Sequence, residues 1–332
     1  MFGKMMNRYY YGKSGQGDYS KDDLPTNRWQ LFWEMLRIRL SGLFRLNLMY
    51  MVIWIPAIVV IGRFLSYCLS GLDVLSGFQN QLDAGEITGE LFAENSLLYM
   101  DAIKSLFFQT LLLLIPCIAI TGPCTAGIAY VTRNWSRDEH AFIWSDFIDA
   151  IKTNWKQALL TSVITGLVPT IVYVCNYYYG QLAQGNLFFM LPQVLCILLG
   201  IVWSLMLIYI YPLIVTYDLK YKDILRNAAL LAIARLPFSV AIRVGTLVPA
   251  AIAALLCYML TPYTFIILLV LAAWYVLLGF GLSRFVTASY TNAVFDKYIN
   301  VKIEGAQVNR GLYNEDDDDY EDDEEAGASV EE

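Results

Sequence analysis

Histidine is almost missing from this chain: in 332 residues His140 is the only one. That leaves little scope for the side chain that most often shuttles protons or holds metals. Charge is scarce as well, at 16% of residues, where a soluble domain carries roughly a quarter. The six cysteines (Cys68, Cys117, Cys124, Cys175, Cys196 and Cys257) form no CxxC pair. Most fall in apolar runs, where a thiol acts as a small hydrophobe, so neither a disulfide framework nor a metal site is expected. Motif chemistry is absent too. There is no nucleophile elbow and no HExxH. "GKSGQG" (Gly12–Gly17) lacks the spacing of a phosphate-binding loop and reads as flexible tail. The apolar spans hold no Asp or Glu at bilayer depth, where ion-driven carriers usually keep an ionisable group. A conventional ion-coupled transporter is therefore disfavoured. The expectation is a protein that is not an enzyme, with no catalytic residues, cofactor, metal or nucleic-acid partner.

Hydrophobicity is what the sequence has in excess: 57% apolar residues and a mean hydropathy of +0.48. Six apolar spans stand out, at Leu46–Gly62, Ser105–Val131, Leu159–Gly180, Leu187–Tyr217, Val240–Leu260 and Thr264–Leu282. Runs near 20 residues with few charges read as transmembrane helices. The fold class expected is all-α: a polytopic bundle of about six membrane helices, surrounded by a lipid bilayer. Prolines inside the spans (Pro56, Pro116, Pro123, Pro169, Pro192, Pro212, Pro249) predict kinks. The N-terminus has no apolar stretch followed by a small-residue cleavage site, so no cleaved signal peptide is expected.

Orientation follows from the basic residues of the connections. Lys4, Arg8, Lys13, Lys21, Arg28, Arg37, Arg39 and Arg45 precede the first span, but only Arg63 and Lys104 follow it. Rich and poor connections then alternate to the C-terminus, which predicts that both termini are cytoplasmic. Arg45, Arg63, Arg243 and Arg284 fall near span ends, where long side chains are expected to reach water. The organisation predicted is a cytoplasmic N-terminal segment (1–45), a transmembrane domain (46–285) with an extracellular insertion at about 63–104, and a cytoplasmic C-terminal segment (286–332). The insertion reads as a helical hairpin or cap. The tail Glu315–Glu332 has 12 acidic residues and no basic one, and is expected to be disordered. Without it the chain holds 23 basic and 18 acidic residues, so the membrane body is mildly basic.

Three segments divide apolar from polar residues at helical period. These are "NRWQLFWEMLRIRL" with Trp29, Phe32, Trp33, Leu36 and Leu40, "WSDFIDAIKTNWKQ" with Trp144, Ile148, Ile151 and Trp155, and "DILRNAALLAIARL" with Ile224, Leu225, Ala228, Leu231 and Ala232. Each predicts an amphipathic cytoplasmic helix, either on the lipid surface or against a soluble partner. Ser136 and Glu139 have the spacing of a capping box. Within the second span, Thr121, Gly122, Pro123, Thr125 and Gly127 allow two readings. One is a broken helix lining a site. The other is a kinked helix packed tightly at the bundle centre.

"LNLMYMVIWIPAIVVIG" (Leu46–Gly62), "ITGPCTAGIAYVTRNWSRDE" (Ile120–Glu139), "FIDAIKTNWKQALL" (Phe147–Leu160) and "YPLIVTYDLKYKDILRNAALLAIARLP" (Tyr211–Pro237) resemble the YesL-like family, domain of unknown function 624, a group of bacterial membrane proteins. An insertion of about Arg63–Leu114 separates two family motifs here. The resemblance implies a place in the bacterial plasma membrane. Because members commonly occur beside genes for sugar uptake, it also implies an accessory or regulatory role with subunits of a sugar ABC transporter. The alternative is a permease core with a site near Thr121–Thr125. The positions that match the family, and so the candidate structural or functional residues, are Asn47, Pro56, Thr121, Gly122, Pro123, Asn154, Lys156, Gln157 and Asn227.

Overall fold

A computed structural model describes residues 24–313. The glycine-rich N-terminal stretch, the basic residues before Leu24 and the acidic tail lie outside the described residues. Of the described residues, 87% are helical, and none lies in a strand. Helix α1 runs Arg28–Asp83, α2 Gly89–Trp135, α3 Ser145–Gly185, α4 Met190–Thr216, α5 Tyr221–Ala234, α6 Leu236–Met259, α7 Thr264–Trp274 and α8 Phe280–Tyr298. A π-helical segment, Tyr275–Gly279, joins α7 to α8. Six helices are long and apolar enough to cross a membrane, with α7, the π segment and α8 counted as one.

The first three helices exceed what a bilayer needs. At 1.5 Å per residue, the 56 residues of α1 span about 84 Å, against a hydrocarbon core near 30 Å. The expected cytoplasmic helix at Trp29–Leu40 is therefore no separate element. It is the first three turns of α1, started by Asn27, whose side chain accepts from the backbone N–H of Trp29 and Gln30. The expected face also differs. Trp29, Trp33 and Leu40 point outward, while Leu31 and Met35 are buried. "WSDFIDAIKTNWKQ" is likewise the beginning of α3, continuous with its span. Only "DILRNAALLAIARL" forms a helix of its own, α5, because Pro237 after Arg235 interrupts the hydrogen-bond ladder and starts α6 in its first turn. Its apolar face, with Ile224, Ala228, Leu231 and Ala232 buried, packs onto the bundle itself.

The expected hairpin at 63–104 is present as the outer ends of α1 and α2, turned at Gly85 with φ +74°. At its seam the ring of Tyr99 lies flat over Gly71, where a Cβ would meet the hydroxyl at 1.6 Å. Tyr99 also stacks on Tyr67, with ring centres 6.0 Å apart.

Buried residues concentrate at the opposite end, where the basic connections gather. One cluster joins α1, α2 and α8 through Leu43, Leu46, Tyr50, Ile128, Val131, Trp135 and Phe285. Another joins α4, α5 and α8 through Tyr209, Leu213, Ile224, Ala228 and Phe295. Helix α7 buries no residue, and α6 buries only Ser239 and Ala253. The bundle is thus tight at its basic end, and α6 and α7 attach thinly along their length.

Candidate functional site

Charge at the basic end is organised by two carboxylates. Asp296 is buried near the end of α8 and pairs with Arg28 at the start of α1. The same carboxylate accepts from Asn300 Nδ2 at 2.5 Å and from the Asn309 N–H at 3.2 Å. The α2–α3 connection supplies the second. Glu139 takes Arg137 Nε at 3.2 Å, Arg310 Nε at 3.4 Å and Arg133 at 3.9 Å. The capping box expected of Ser136 and Glu139 does not form. Ser136 instead closes α2, donating to Arg133 O and accepting from Asn292 Nδ2 at 2.6 Å. These ion pairs and their further hydrogen bonds fix how α1, α2, α8 and the C-terminal strap, residues 299–313, meet.

Beside this clasp opens a crevice of about 770 Å³ between the first turns of α3 and the end of α4. Asp146, Asp149, Thr153, Asn154, Lys156 and Gln157 line one wall, and Tyr130 with Thr216–Leu219 lines the other. Some of its polar groups are engaged. Asp146 accepts from the Phe142 N–H at 2.8 Å, Asn154 donates to Ala150 O at 3.0 Å, and Gln157 reaches across to Leu219 O at 2.9 Å. Asp149 pairs with Lys152 on the exposed surface at 3.2 Å. Asp218 is exposed and Lys156 lies against the ring of its neighbour Trp155. Tyr217 bridges crevice and clasp by donating to Asn300 Oδ1 at 2.6 Å. Burial, and the negative charge of Asp296 behind it, push its hydroxyl up to about 12.

The candidate residues fall in separate places. Asn154, Lys156 and Gln157 line the crevice. Asn47, fully buried, serves the π segment. Its Nδ2 donates to Tyr275 O at 2.9 Å and to Val276 O at 2.7 Å, and its Oδ1 accepts from the Gly281 N–H at 2.8 Å. Where the helical register slips by one residue the backbone ladder needs outside partners, and this one amide supplies them. Thr121, Gly122 and Pro123 sit on the α2–α3 seam, and the broken-helix reading is corrected there. Helix α2 runs through Pro116 and Pro123 without interruption. Thr121 and Thr125 donate to Ile118 O and Thr121 O at 2.8 Å, and Ala119 O, the carbonyl that Pro123 frees, accepts from Ser162 Oγ at 2.7 Å. A Cβ at Gly122 would lie 2.2 Å from Ser162 Oγ and 2.4 Å from Ala158 O. The backbones touch at this point. Pro56 faces outward on α1, and Asn227 is half-buried on α5.

Sequence reasoning missed Tyr217–Leu219, which wall the crevice, and the clasp residues Arg28, Asp296 and Asn300. Their signal was a lone Asp at the end of an apolar span. Of the partners of Asp296, Arg28 lies 268 residues away, beyond the reach of spacing. Arg243 also departs from expectation. It turns inward and donates to Ser204 O, with its Nε buried.

The packing defines a polytopic all-α bundle of the kind that crosses a membrane. Within it, residues 102–177 match the family described as "Protein of unknown function, DUF624", the YesL-like family that the sequence resembles. The match takes in Thr121–Pro123 and Asn154–Gln157, but not Asn47, Pro56 or Asn227. It begins inside the insertion expected at Arg63–Leu114, so residues 102–114 fall within the matched region. No curated protein and no solved structure matches the chain.

Proposed function

We propose that the chain is a non-enzymatic, multi-pass protein of the bacterial plasma membrane that acts as an accessory or regulatory partner of a carbohydrate uptake system. On this reading both termini, the clasp and the crevice face the cytosol, and the crevice receives a short segment of a transporter subunit. One observation carries it. The crevice, of about 770 Å³, lies at the basic end and outside the apolar belt, whereas the small-residue seam at Gly122 is closed by backbone contact. Asp149 and the exposed Asp218 on its walls suit a basic side chain from the partner. The sugar link comes from the family resemblance.

A photocrosslinking residue at Thr153, on the crevice wall, tests this in native membranes. A discrete adduct containing a transporter subunit is expected, and it should weaken in Asp218→Lys. Expression at native level with no adduct would remove the docking role. The permease alternative at Thr121–Thr125 would need α2 and α3 to part at Gly122, where a Cβ would lie 2.4 Å from Ala158 O. Sugar flux into proteoliposomes containing this protein alone would restore it.

A further inference from the structure

We propose that Cys175 on α3 and Cys196 on α4 are an oxidisable pair, which a disulfide-bearing oxidant closes into a bond that staples the two helices. The two residues lie 21 positions apart, with no CxxC spacing, so only helix packing brings them together. Helices α3 and α4 run antiparallel from the turn at Asn186, and three contacts set their register. Toward the basic end, Trp203 Nε1 donates to Thr165 Oγ1 at 3.2 Å. Nearer the turn, a Cβ at Gly200 would lie 3.0 Å from Val172 Cγ2. Nearer still, Gln193 Nε2 donates to Asn176 Oδ1 at 3.0 Å. Along α4 the seam positions 203, 200, 196 and 193 recur at steps of three or four residues, as do 165, 168, 172 and 175 along α3. Both cysteines are therefore seam residues, placed between the Gly200 contact and the Gln193 bond. Their thiols lie within hydrogen-bond reach of each other.

A disulfide needs Cα atoms roughly 4.4–6.8 Å apart, which helices reach where small residues line the seam. Glycines flank the pair on both sides. Gly200 meets Val172, and a Cβ at Gly180 would lie 3.4 Å from Gln193 Nε2. Both cysteines are half-buried, and Val174, Tyr177, Val194 and Leu195 beside them are exposed, so the thiols lie near the surface of the bundle. One cysteine, as thiolate, attacks the oxidant's S–S bond and expels a thiolate. The other attacks the resulting mixed disulfide and expels the second. Two electrons pass to the oxidant, whose sulfurs leave as two thiols carrying the two protons. The loop so closed restricts the unfolded chain, and the bond stabilises the α3–α4 hairpin. The pair sits toward the hairpin end of the bundle, since Tyr173, two residues before Cys175, packs on Phe107 of α2 with ring centres 5.1 Å apart. On the orientation proposed above that end faces outward, where disulfides persist. The pairing itself does not depend on that orientation.

The purified full chain in neutral detergent, reduced and then exposed to oxidised glutathione, tests this. Maleimide added after oxidation should find two fewer thiols than in the reduced chain, and peptide mapping should recover Cys175 linked to Cys196. The thermal midpoint should rise by several degrees on oxidation and fall back with a reductant. C175S and C196S should each lose the link and the rise, while their reduced midpoints match that of the reduced wild type. C117S and C257S should keep both effects. An unchanged thiol count, glutathione adducts in place of the link, linkage through another cysteine, or a rise that survives in C175S would overturn the proposal. Cells quenched with acid and alkylated before lysis should already hold the linked peptide. Linkage in the purified chain but not in quenched cells would support the pair and count against the outward placement of the α3–α4 turn, so the pairing and the orientation fail separately.

Discussion

Asn47 shows how much one buried amide can hold. It satisfies three backbone groups of the π segment and α8, and it is fully buried. Asn47→Ala removes about three hydrogen bonds and leaves polar backbone without water. With each bond contributing roughly 1 kcal/mol and an orphaned buried group costing 1–3, the expected loss is on the order of 3 kcal/mol. Reversible unfolding in mixed micelles measures it, and a loss below about 1 kcal/mol would mean that the π segment holds itself. Glycines give a paired contrast. Gly122 has no room for a methyl group, since Ala158 O would lie 2.4 Å away and belongs to backbone. Gly122→Ala must push α2 from α3 and should cost about 1–3 kcal/mol by overpacking. Gly245, in the interior of α6, has nothing within 4 Å. Gly245→Ala should be neutral or stabilise by up to about 1 kcal/mol through helix propensity. The same assay ranks the two, and equal effects would contradict the seam.

Elements were legible in the sequence wherever periodicity and apolar length agreed, and illegible where one helix carried two environments. Each of the six spans falls, to within one residue at its end, in a helix that meets the length and hydropathy of a membrane crossing. The amphipathic segments at Trp29–Leu40 and Trp144–Trp155 had the right period, yet period says nothing about where a helix stops. With no breaker between them and their spans, they continue as α1 and α3. Pro237 is such a breaker, and α5 is accordingly separate. The crevice was half legible. Asn154, Lys156 and Gln157 came from a motif on one helix, while the facing wall at Tyr217–Leu219 is set by tertiary packing. The α1–α2 hairpin is an element whose stability is separate from that of the bundle. Its outer part is held by Tyr99 over Gly71 and by the Phe64–Phe107 pair, with centres 5.6 Å apart, far from the buried clusters of the basic end. Gly71→Val should lift the Tyr99 ring and speed amide exchange over residues 65–100. Exchange along the α2–α3 seam, residues 119–162, should stay unchanged. Acceleration of both regions together would show that hairpin and bundle open as one unit.

For the whole molecule, asymmetry along the bundle axis is the organising fact. At one end lie the clasp built on Asp296 and Glu139, both packed clusters and the crevice. At the other stands the hairpin, with Asp73, Asp83, Glu86, Glu90, Glu94 and Asp101 against only Arg63 and Lys104. Basic residues near span ends resist translocation, whereas acidic ones contribute little. The end that carries Arg28, Arg37, Arg39, Arg133, Arg137 and Arg226 is therefore expected in the cytosol, and the hairpin outside it. An even number of crossings puts Leu24 and Tyr313 on one side, in keeping with the Tyr313 N–H donating to Pro25 O at 3.0 Å. Gly85→Cys at the hairpin turn and Gly305→Cys in the C-terminal strap test this, in a background with the six native cysteines replaced. A Cβ added at either glycine would meet nothing within 4 Å. Both have positive φ, so the turns should tolerate cysteine at a cost of about 1 kcal/mol. A membrane-impermeant maleimide applied to intact cells should label the hairpin cysteine, and the strap cysteine should react only after the membrane is opened. The reverse pattern would place the crevice outside the cell, beyond reach of any cytosolic partner, and labelling of both sites in intact cells would break the even count on which the orientation rests.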